Sequence, residues 1–168
     1  MANIMLTGFP RVGKTTVIMK FLEQTKRTCA GFYTEEIKNQ HGRREGFKVV
    51  GISTGKTGTL AHINVESFRK VGKYYVDIED FEAVAVPEMT TEAEIMIIDE
   101  IGKMELYSSK FKYILLHTLN NNNVLATITK KGGGNYVELL KKRKDLELIE
   151  LTKQNRDEIV QQLLQRIG

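Results

Sequence analysis

Nine residues near the start of the chain have the types and spacing of a loop that binds phosphate. The segment G-F-P-R-V-G-K-T-T contains the pattern G-x-x-x-x-G-K-T. Its glycines let the backbone bend so that consecutive N–H groups point at one anion. In such loops the lysine, here Lys14, reaches the β- and γ-phosphates, and the hydroxyl of the next residue, Thr15, binds Mg²⁺. The pattern predicts nucleotide contacts along the whole loop: Gly8, Phe9, Pro10, Arg11, Val12, Gly13, Lys14, Thr15 and Thr16.

The residues on both sides of this loop support the same interpretation. The apolar run from Asn3 to Thr7 is typical of a strand, and apolar residues recur at helical spacing after the loop, at Val17, Ile18, Phe21 and Leu22. A strand, a glycine-bounded loop and a helix form the context that a P-loop requires. The alternative is a chance match in an ordinary strand–turn–helix, which residue frequencies make rare, under roughly one chain in a hundred.

A second motif ends in two acidic residues. Four apolar residues from Ile95 precede Asp99 and Glu100, which is the Walker B pattern of a strand buried on both faces. An acid at the carboxyl end of a central strand lies at the ligand-binding edge of an α/β sheet. We expect Asp99 to hold Mg²⁺ through a coordinated water, and Glu100 to orient and activate the attacking water. The predicted catalytic residues are therefore Lys14, Asp99 and Glu100, and nucleotide contacts are predicted for Ile98, Asp99, Glu100, Ile101 and Gly102.

The acidic motif also fits a different class of protein. Residues 99–102 match D-x-x-G, the switch motif of GTPases. A GTPase also needs a guanine-reading N-K-x-D segment, and the nearest candidates, residues 129–132 and 152–155, lack the acid. The sequence therefore does not predict strict specificity for GTP.

Phosphoryl transfer also needs positive charge on the γ-phosphate. Arg143 follows a glycine-rich loop and a helix that could close like a lid, and Arg156 begins the last helix beside Asn155, where it could touch the base or the phosphates. Thr127, at the end of a core strand, could sense the γ-phosphate. Each has an ordinary alternative, a surface position for the arginines and strand propensity for the threonine.

Size, charge and cysteine content narrow the class further. A chain of 168 residues suits one domain, residues 1–168, and Lys plus Arg exceed Asp plus Glu only by 25 to 21. This small basic excess suits a polyphosphate ligand and does not argue for nucleic acid. No apolar stretch is long enough to span a membrane, and no signal peptide opens the chain. With Cys29 as the only cysteine, no disulfide can form within the chain, and we expect a location in the reducing cytoplasm. The sequence leaves the oligomeric state open, with a monomer favoured.

Strands that alternate with helices predict the fold class. We expect an α/β P-loop NTPase of three layers, with a mostly parallel central sheet. Residues 30–38 and 46–53 predict an antiparallel hairpin inserted at one edge of that sheet, whereas residues 54–72 show no sustained period. Pro87 is expected to end one helix, Ser108 or Ser109 to cap a second, and Thr152 to cap the last.

Three segments carry a resemblance to a known family. They are G-F-P-R-V-G-K-T-T, G-F-Y-T-E-E-I from Gly31 and I-D-E-I-G-K-M-E-L from Ile98. Together they resemble the small nucleoside-triphosphatase family of thermophilic archaea and bacteria, which also has a human member, and the likeness covers essentially the whole chain. The resemblance implies a RecA-like or adenylate-kinase-like core, and hydrolysis of ATP, GTP, CTP and UTP to diphosphate and phosphate with Mg²⁺.

Arg11 departs from the family pattern, which usually has glycine at that position. If the position needs a positive φ, a residue other than glycine is strained there. Arg11 could equally lie over the γ-phosphate and act as an arginine finger in cis, or it could weaken nucleotide binding. The sequence leaves these three interpretations open.

Two other functions remain open beside hydrolysis. A small-molecule or nucleotide kinase could use the same core, with an acceptor pocket built by the hairpin and residues 54–72. A nucleotide-dependent switch or nucleic-acid-associated protein is the other, and only the small basic excess favours it.

Overall fold

The computed structural model describes residues 2–168 and contains one sheet with helices on both of its faces. Its strands are β1 (Asn3–Thr7), β2 (Cys29–Lys38), β3 (Arg44–Gly51), β4 (Thr57–His62), β5 (Lys70–Val71), β6 (Tyr74–Val76), β7 (Ile95–Ile101), β8 (Val124–Ile128) and β9 (Leu146–Glu150). Its helices are α1 (Lys14–Gln24), α2 (Ile78–Met89), α3 (Ser109–Asn121), α4 (Gly134–Lys141) and α5 (Arg156–Ile167), with a 3₁₀ turn at Glu105–Tyr107.

The strand order is β5-β6-β4-β3-β2-β7-β8-β1-β9. The five strands from β2 to β9 in this order are parallel to one another. Their carboxyl ends therefore meet at one edge, where open α/β sheets bind ligands. Because β8 lies between β1 and β7, a side chain at the end of β8 is placed between those two strands.

Helices cover both faces, so the predicted three-layer α/β arrangement is confirmed. On one face α1 and α5 pack through residues such as Phe21 and Leu163. On the other face lie α2, α3 and α4. There the rings of Phe32, Phe81 and Phe111 meet edge to face, with centroids 5.4–5.8 Å apart. Such geometry is favourable for aromatic rings beyond the area that they bury.

The predicted hairpin is confirmed, and it is larger than the sequence indicated. Strands β2 and β3 pair antiparallel, and β4, β6 and β5 continue the same sheet beyond β3. Residues 54–72 therefore contain β4 and β5, which had no periodic signal because both are short and β4 carries Gly58. The five parallel strands, which form the parallel block of the sheet, therefore continue into an antiparallel extension of the four strands β3, β4, β6 and β5.

Pro87 does not end α2, and that expectation was wrong. The helix continues to Met89, with Pro87 inside its last turn. A proline this late removes one backbone donor and clashes with the preceding turn. The hydroxyl groups of Thr90 and Thr91 donate to the carbonyls of Val86 and Pro87, which satisfies acceptors that the helix end leaves free.

The two predicted caps have different outcomes. The Ser108 hydroxyl accepts the N–H of Phe111 at 3.0 Å, so Ser108 caps α3 as expected. Thr152 does not cap α5, which begins three residues later than expected, after Asn155. Thr152 and Asn155 instead bond to each other, each side-chain oxygen accepting the other's N–H, and this turn sets the entry to α5.

A buried carboxylate fixes the antiparallel extension to α2. Glu88 is only 1% exposed, and it accepts five hydrogen bonds, from the N–H of Gly31 and from the N–H and hydroxyl of both Ser53 and Thr54. Burial acts to raise the pKa of Glu88, but the bonds from Ser53 and Thr54 outweigh it and hold the pKa below its ordinary value of 4.5. The charged form of Glu88 therefore stabilises the fold.

We expect Glu88→Gln to lower the free energy of unfolding by about 2–4 kcal/mol, because the amide turns a donor toward groups that need an acceptor. The folded-state pKa lies below the unfolded-state value, so the stabilisation is present above about pH 4.5 and is lost as the pH falls through the folded-state pKa. Urea unfolding at a series of pH values measures this difference.

The exposed Glu92→Gln is the matched control and should leave the midpoint unchanged. A Glu88→Gln protein as stable as the wild type at pH 7 would show that this carboxylate does not hold the extension.

Candidate active site

The predicted loop lies over the carboxyl edge of the sheet, at the mouth of a cavity of about 710 Å³. The loop connects β1 to α1, and the cavity extends from it across the ends of β8 and β7 to the hairpin. Its walls carry five basic and four acidic side chains, so opposite charges face each other across a small volume. The lining residues are Gly8, Phe9, Pro10, Arg11, Gly13, Lys14, Thr15, Thr16, Thr34, Glu35, Glu36, Arg44, Phe47, Asp99, Glu100, Thr129, Lys130 and Lys131.

The backbone of the loop is shaped to present donors. Gly13 has φ 108°, a region that glycine adopts without steric cost, and a Cβ there would lie 3.3 Å from the Arg156 guanidinium. Arg11 has φ 67°, where a residue other than glycine costs roughly 1–2 kcal/mol. Of the interpretations that the sequence left open for Arg11, the one that depends on a positive φ therefore has its condition met. Because α1 begins at Lys14, the N–H groups of its first turn have no partner within the helix and are available to an anion.

Asp99 is the centre of the hydrogen bonds in the site. The Thr15 hydroxyl at the start of α1 donates to Oδ2 of Asp99 at 2.8 Å. The Thr127 hydroxyl at the end of β8 donates to Oδ1 of the same carboxylate at 2.6 Å. These two bonds connect α1, β7 and β8 through one side chain and fix the orientation of its oxygens.

Asp99 is 1% exposed, and this burial raises its pKa to about 6. The bonds from Thr127 and Thr15 lower the pKa, the charge of Glu100 raises it and Lys14 lowers it. A buried carboxylate with no water around it benefits from a cation at close range.

The donor set at this point suits Mg²⁺. A hydroxyl and a carboxylate are the hard oxygen ligands that Mg²⁺ prefers. Within residues 2–168 no group of three or more His, Cys, Asp and Glu side chains could hold a metal by itself. That agrees with an ion that takes most of its ligands from phosphate oxygens and water. Thr15 and Asp99 are the residues that would hold it.

Glu100 lies beside the loop lysine at the open side of the cavity. Lys14 Nζ is 3.2 Å from Oε2 of Glu100, and it also donates to the carbonyl of Gly8 at 3.2 Å. The pairing of β7 with β8 shifts between Ile98 and Ile101, and the peptide bond between Asp99 and Glu100 is cis. Asp99 and Glu100 both line the cavity, with Glu100 the more exposed. The structure thus brings all three predicted catalytic residues together.

A third carboxyl group, Glu105, lies next to Glu100 and was not predicted. It is buried in the 3₁₀ turn after β7, and a Cβ on Gly102 would lie within 3.1 Å of both Glu100 and Glu105 oxygens. Burial first, and then the charge of Glu100, raise the pKa of Glu105 well above its ordinary value. Glu105 therefore keeps its proton to a higher pH than an ordinary carboxyl group. The signal in the sequence was its place within the I-D-E-I-G-K-M-E-L segment.

Several predicted residues support the site without lining the cavity. Val12 is buried in the core under the loop, and Ile98, Ile101 and Gly102 are buried around the acidic motif. Thr127 is fully buried and acts through Asp99.

The predicted arginines lie in different places. Arg156 donates to the carbonyl of Val12 at 3.3 Å, so it packs behind the loop, and Asn155 anchors the preceding turn to the carbonyl of Glu150. Arg143 is bound to Asp145 and to Asn120 at the end of α3, at the opposite edge of the sheet. Because its guanidinium is held there, Arg143 is not placed to reach the phosphates, which corrects that expectation.

Two further walls of the cavity carry side chains that the sequence motifs did not single out. One is the hairpin, offered from the sequence as part of an acceptor pocket, where Arg44 bonds to Tyr74 and Glu36, and Phe47 packs beside them. The other is the segment after β8, where the Lys130 ammonium lies 3.9 Å from the centroid of the Phe9 ring. The only signal for the second wall was two lysines directly after a core strand.

Comparison with known proteins gives a consistent result. A model of the NTPase family matches residues 3–164. The nucleoside-triphosphatase THEP1 of Thermotoga petrophila is 41% identical over 166 residues, covering 96% of this chain and 90% of that protein. Human cancer-related nucleoside-triphosphatase is 38% identical over 177 residues, covering 94% of this chain and 92% of the human protein.

Solved structures agree with this result. The crystal structure of THEP1 from the hyperthermophile Aquifex aeolicus has a TM-score of 0.89 and 35% identity, and 99% of each chain is covered. The solution structure of the human protein has a TM-score of 0.80 and 35% identity, over 98% of this chain and 96% of that one. These matches confirm the resemblance found in the sequence, and the chain belongs to the NTPase family.

Proposed function

We propose that this chain is a Mg²⁺-dependent nucleoside-triphosphatase that hydrolyses ATP, GTP, CTP and UTP to the diphosphate and phosphate. The observation that carries the proposal is the contact between the phosphate-binding loop and the acidic motif. The Thr15 hydroxyl donates to Asp99, and Lys14 pairs with Glu100. The names of the 35–41% identical relatives support the same activity. A monomeric state and a cytoplasmic location belong to the same proposal.

The loop binds the triphosphate through its backbone. N–H groups between Arg11 and Thr16 face the β- and γ-phosphates, and the Lys14 ammonium contacts their oxygens. The γ-phosphate end points toward β7, because Asp99 and Glu100 lie there.

Mg²⁺ held by Thr15 and Asp99 would neutralise charge on the β- and γ-phosphate oxygens. Thr127 positions the Asp99 carboxylate by holding its second oxygen. Such supporting bonds orient the groups that bind a metal.

Glu100 orients and deprotonates the attacking water. The water oxygen forms a bond to the γ-phosphorus as the bond between that phosphorus and the β–γ bridging oxygen breaks. The water proton passes to Glu100 and then to the released phosphate, and the bonding electrons of the broken bond remain on the diphosphate, next to Lys14.

A second function, phosphoryl transfer to a small molecule, is favoured by one observation. The cavity continues past Glu100 to Thr34, Arg44 and Phe47. A water molecule does not need that space, whereas a hydroxyl-bearing acceptor would lie there. This function ranks second because the acidic groups of the hairpin wall are already paired with Lys48 and Arg44.

Phosphate release is the test of the main proposal. We expect similar rates with ATP, GTP, CTP and UTP, because the chain has no N-K-x-D segment to read guanine. We expect no release from diphosphates, and loss of activity when EDTA removes Mg²⁺. A protein that released phosphate from none of the four triphosphates with Mg²⁺ would contradict the proposal.

Glu100→Gln should keep nucleotide affinity within a few-fold and lower kcat by roughly 100- to 10,000-fold, because the amide cannot accept the water proton. Single-turnover kinetics and equilibrium binding of ATP measure the two effects separately. Glu66→Gln, at an exposed site outside the cavity, is the matched control. Near-normal turnover by Glu100→Gln would remove Glu100 as the base.

The kinase alternative predicts a labelled product other than inorganic phosphate. We expect all label from γ-³²P-ATP to appear as phosphate, even when a small-molecule extract is added to the protein. Label on an organic product, lost when Phe47 is replaced by alanine, would favour phosphoryl transfer over hydrolysis.

A further inference from the structure

Arg11 combines two unusual features at the tip of the phosphate-binding loop. It is the one residue other than glycine with a positive φ within residues 2–168. Its exposed side chain lines the same cavity as Lys14 and Glu100. Outliers of this kind persist where the surroundings hold them, and they cluster at functional sites.

The guanidinium of Arg11 has no partner among the described residues. In residues 2–168 it makes no ion pair and no hydrogen bond to another side chain or carbonyl, whereas Arg44, Arg143, Arg156 and Arg166 each make such contacts. Arg44, the other arginine in the cavity wall, is bound to Tyr74 and Glu36. Arg156 is bound behind the loop. Arg11 therefore has its donors free where Arg44 and Arg156 do not.

The acidic groups of the cavity do not require Arg11 as a counter-charge. Glu100 pairs with Lys14, Glu35 with Lys48, and Glu36 with Arg44. Asp99 accepts from Thr15 and Thr127. Positive charge that no carboxylate neutralises is available to an anionic ligand, and a guanidinium binds phosphate oxygens in a bidentate manner.

We propose that Arg11 is a catalytic residue, an arginine finger in cis that donates hydrogen bonds to the γ-phosphoryl oxygens. This inference rests on the proposed function and adds the group that Arg143 does not provide. The Arg11 backbone belongs to the loop that is proposed to hold the phosphates, so the Arg11 side chain starts next to its target. The guanidinium stabilises charge on the γ-phosphoryl oxygens as the bridging bond breaks.

Three variants of Arg11 separate charge from backbone strain. Arg11→Gly removes both, Arg11→Asn removes the charge but tolerates the left-handed backbone, and Arg11→Lys keeps the charge without the planar fork. Arg69→Ala removes one exposed positive charge next to the edge strand β5 and is the matched control for net charge. Lys131→Ala tests Lys131, the lysine of the cavity wall that makes no ion pair within residues 2–168, whereas Lys14 and Lys130 are both paired.

We expect Arg11→Gly and Arg11→Asn to lower kcat by roughly 10- to 1,000-fold, with KM for ATP changed by no more than a few-fold. Affinity for ADP with aluminium fluoride, which resembles the transition state, should fall by the same factor, while affinity for ADP alone should not. Arg11→Lys should retain part of the activity, and Arg69→Ala all of it. The melting temperature of Arg11→Gly should be no lower than that of the wild type.

Three results would overturn this role and leave the proposed function intact. The first is an Arg11→Gly protein with kcat equal to or above that of the active wild type. The second is a loss confined to KM, and the third is a larger loss of kcat in Lys131→Ala, which would assign the cation elsewhere. A wild-type protein that hydrolyses no triphosphate would overturn the proposed function, and this role for Arg11 with it.

Discussion

The two hydroxyl groups that hold the Asp99 carboxylate join the elements on which the site depends. Thr15 belongs to the first turn of α1 and Thr127 to the end of β8, and both donate to the acid at the end of β7. These bonds satisfy a carboxylate that burial would otherwise penalise. They also require β8 to lie between β1 and β7, which the strand order provides. The position of the phosphate-binding loop relative to the acid is therefore a property of the whole parallel block.

A second buried carboxylate, Glu88, is also held by hydrogen bonds, with a different result. Glu88 is buried like Asp99, but five donors satisfy it and hold its pKa low, so the charge serves stability. Among the described residues Asp99 has two donors, and burial raises its pKa to about 6. Because burial penalises its charged form, this carboxylate gains from a nearby cation, which favours a functional role for Asp99 in contrast to the structural role of Glu88.

The sequence predicted what local patterns determine and missed what depends on distant partners. The loop from Gly8 to Thr16 and the pair Asp99–Glu100 were found because each motif lies within a few residues and its flanks fix the element type. The hairpin was named as a possible pocket wall, but Arg44 was not singled out, because it enters the cavity only through strand pairing across the sheet. Pro87 was predicted to end its helix because the sequence around it does not show that Glu88 is buried, which depends on bonds from residues 53 and 54. Arg143 was misplaced because the direction of the chain after the glycine-rich loop follows from packing and not from composition.

The central claim is that water attacks the γ-phosphorus beside Glu100, and the fate of the water oxygen tests it most directly. ATP hydrolysed in H₂¹⁸O with Mg²⁺ should give inorganic phosphate that contains ¹⁸O and ADP that contains none, because the bond that breaks lies between the γ-phosphorus and the bridging oxygen. Labelled ADP with unlabelled phosphate would mean that water attacks the β-phosphorus, and ADP formed without inorganic phosphate would mean that a group other than water accepts the phosphoryl group. Either result would contradict the account.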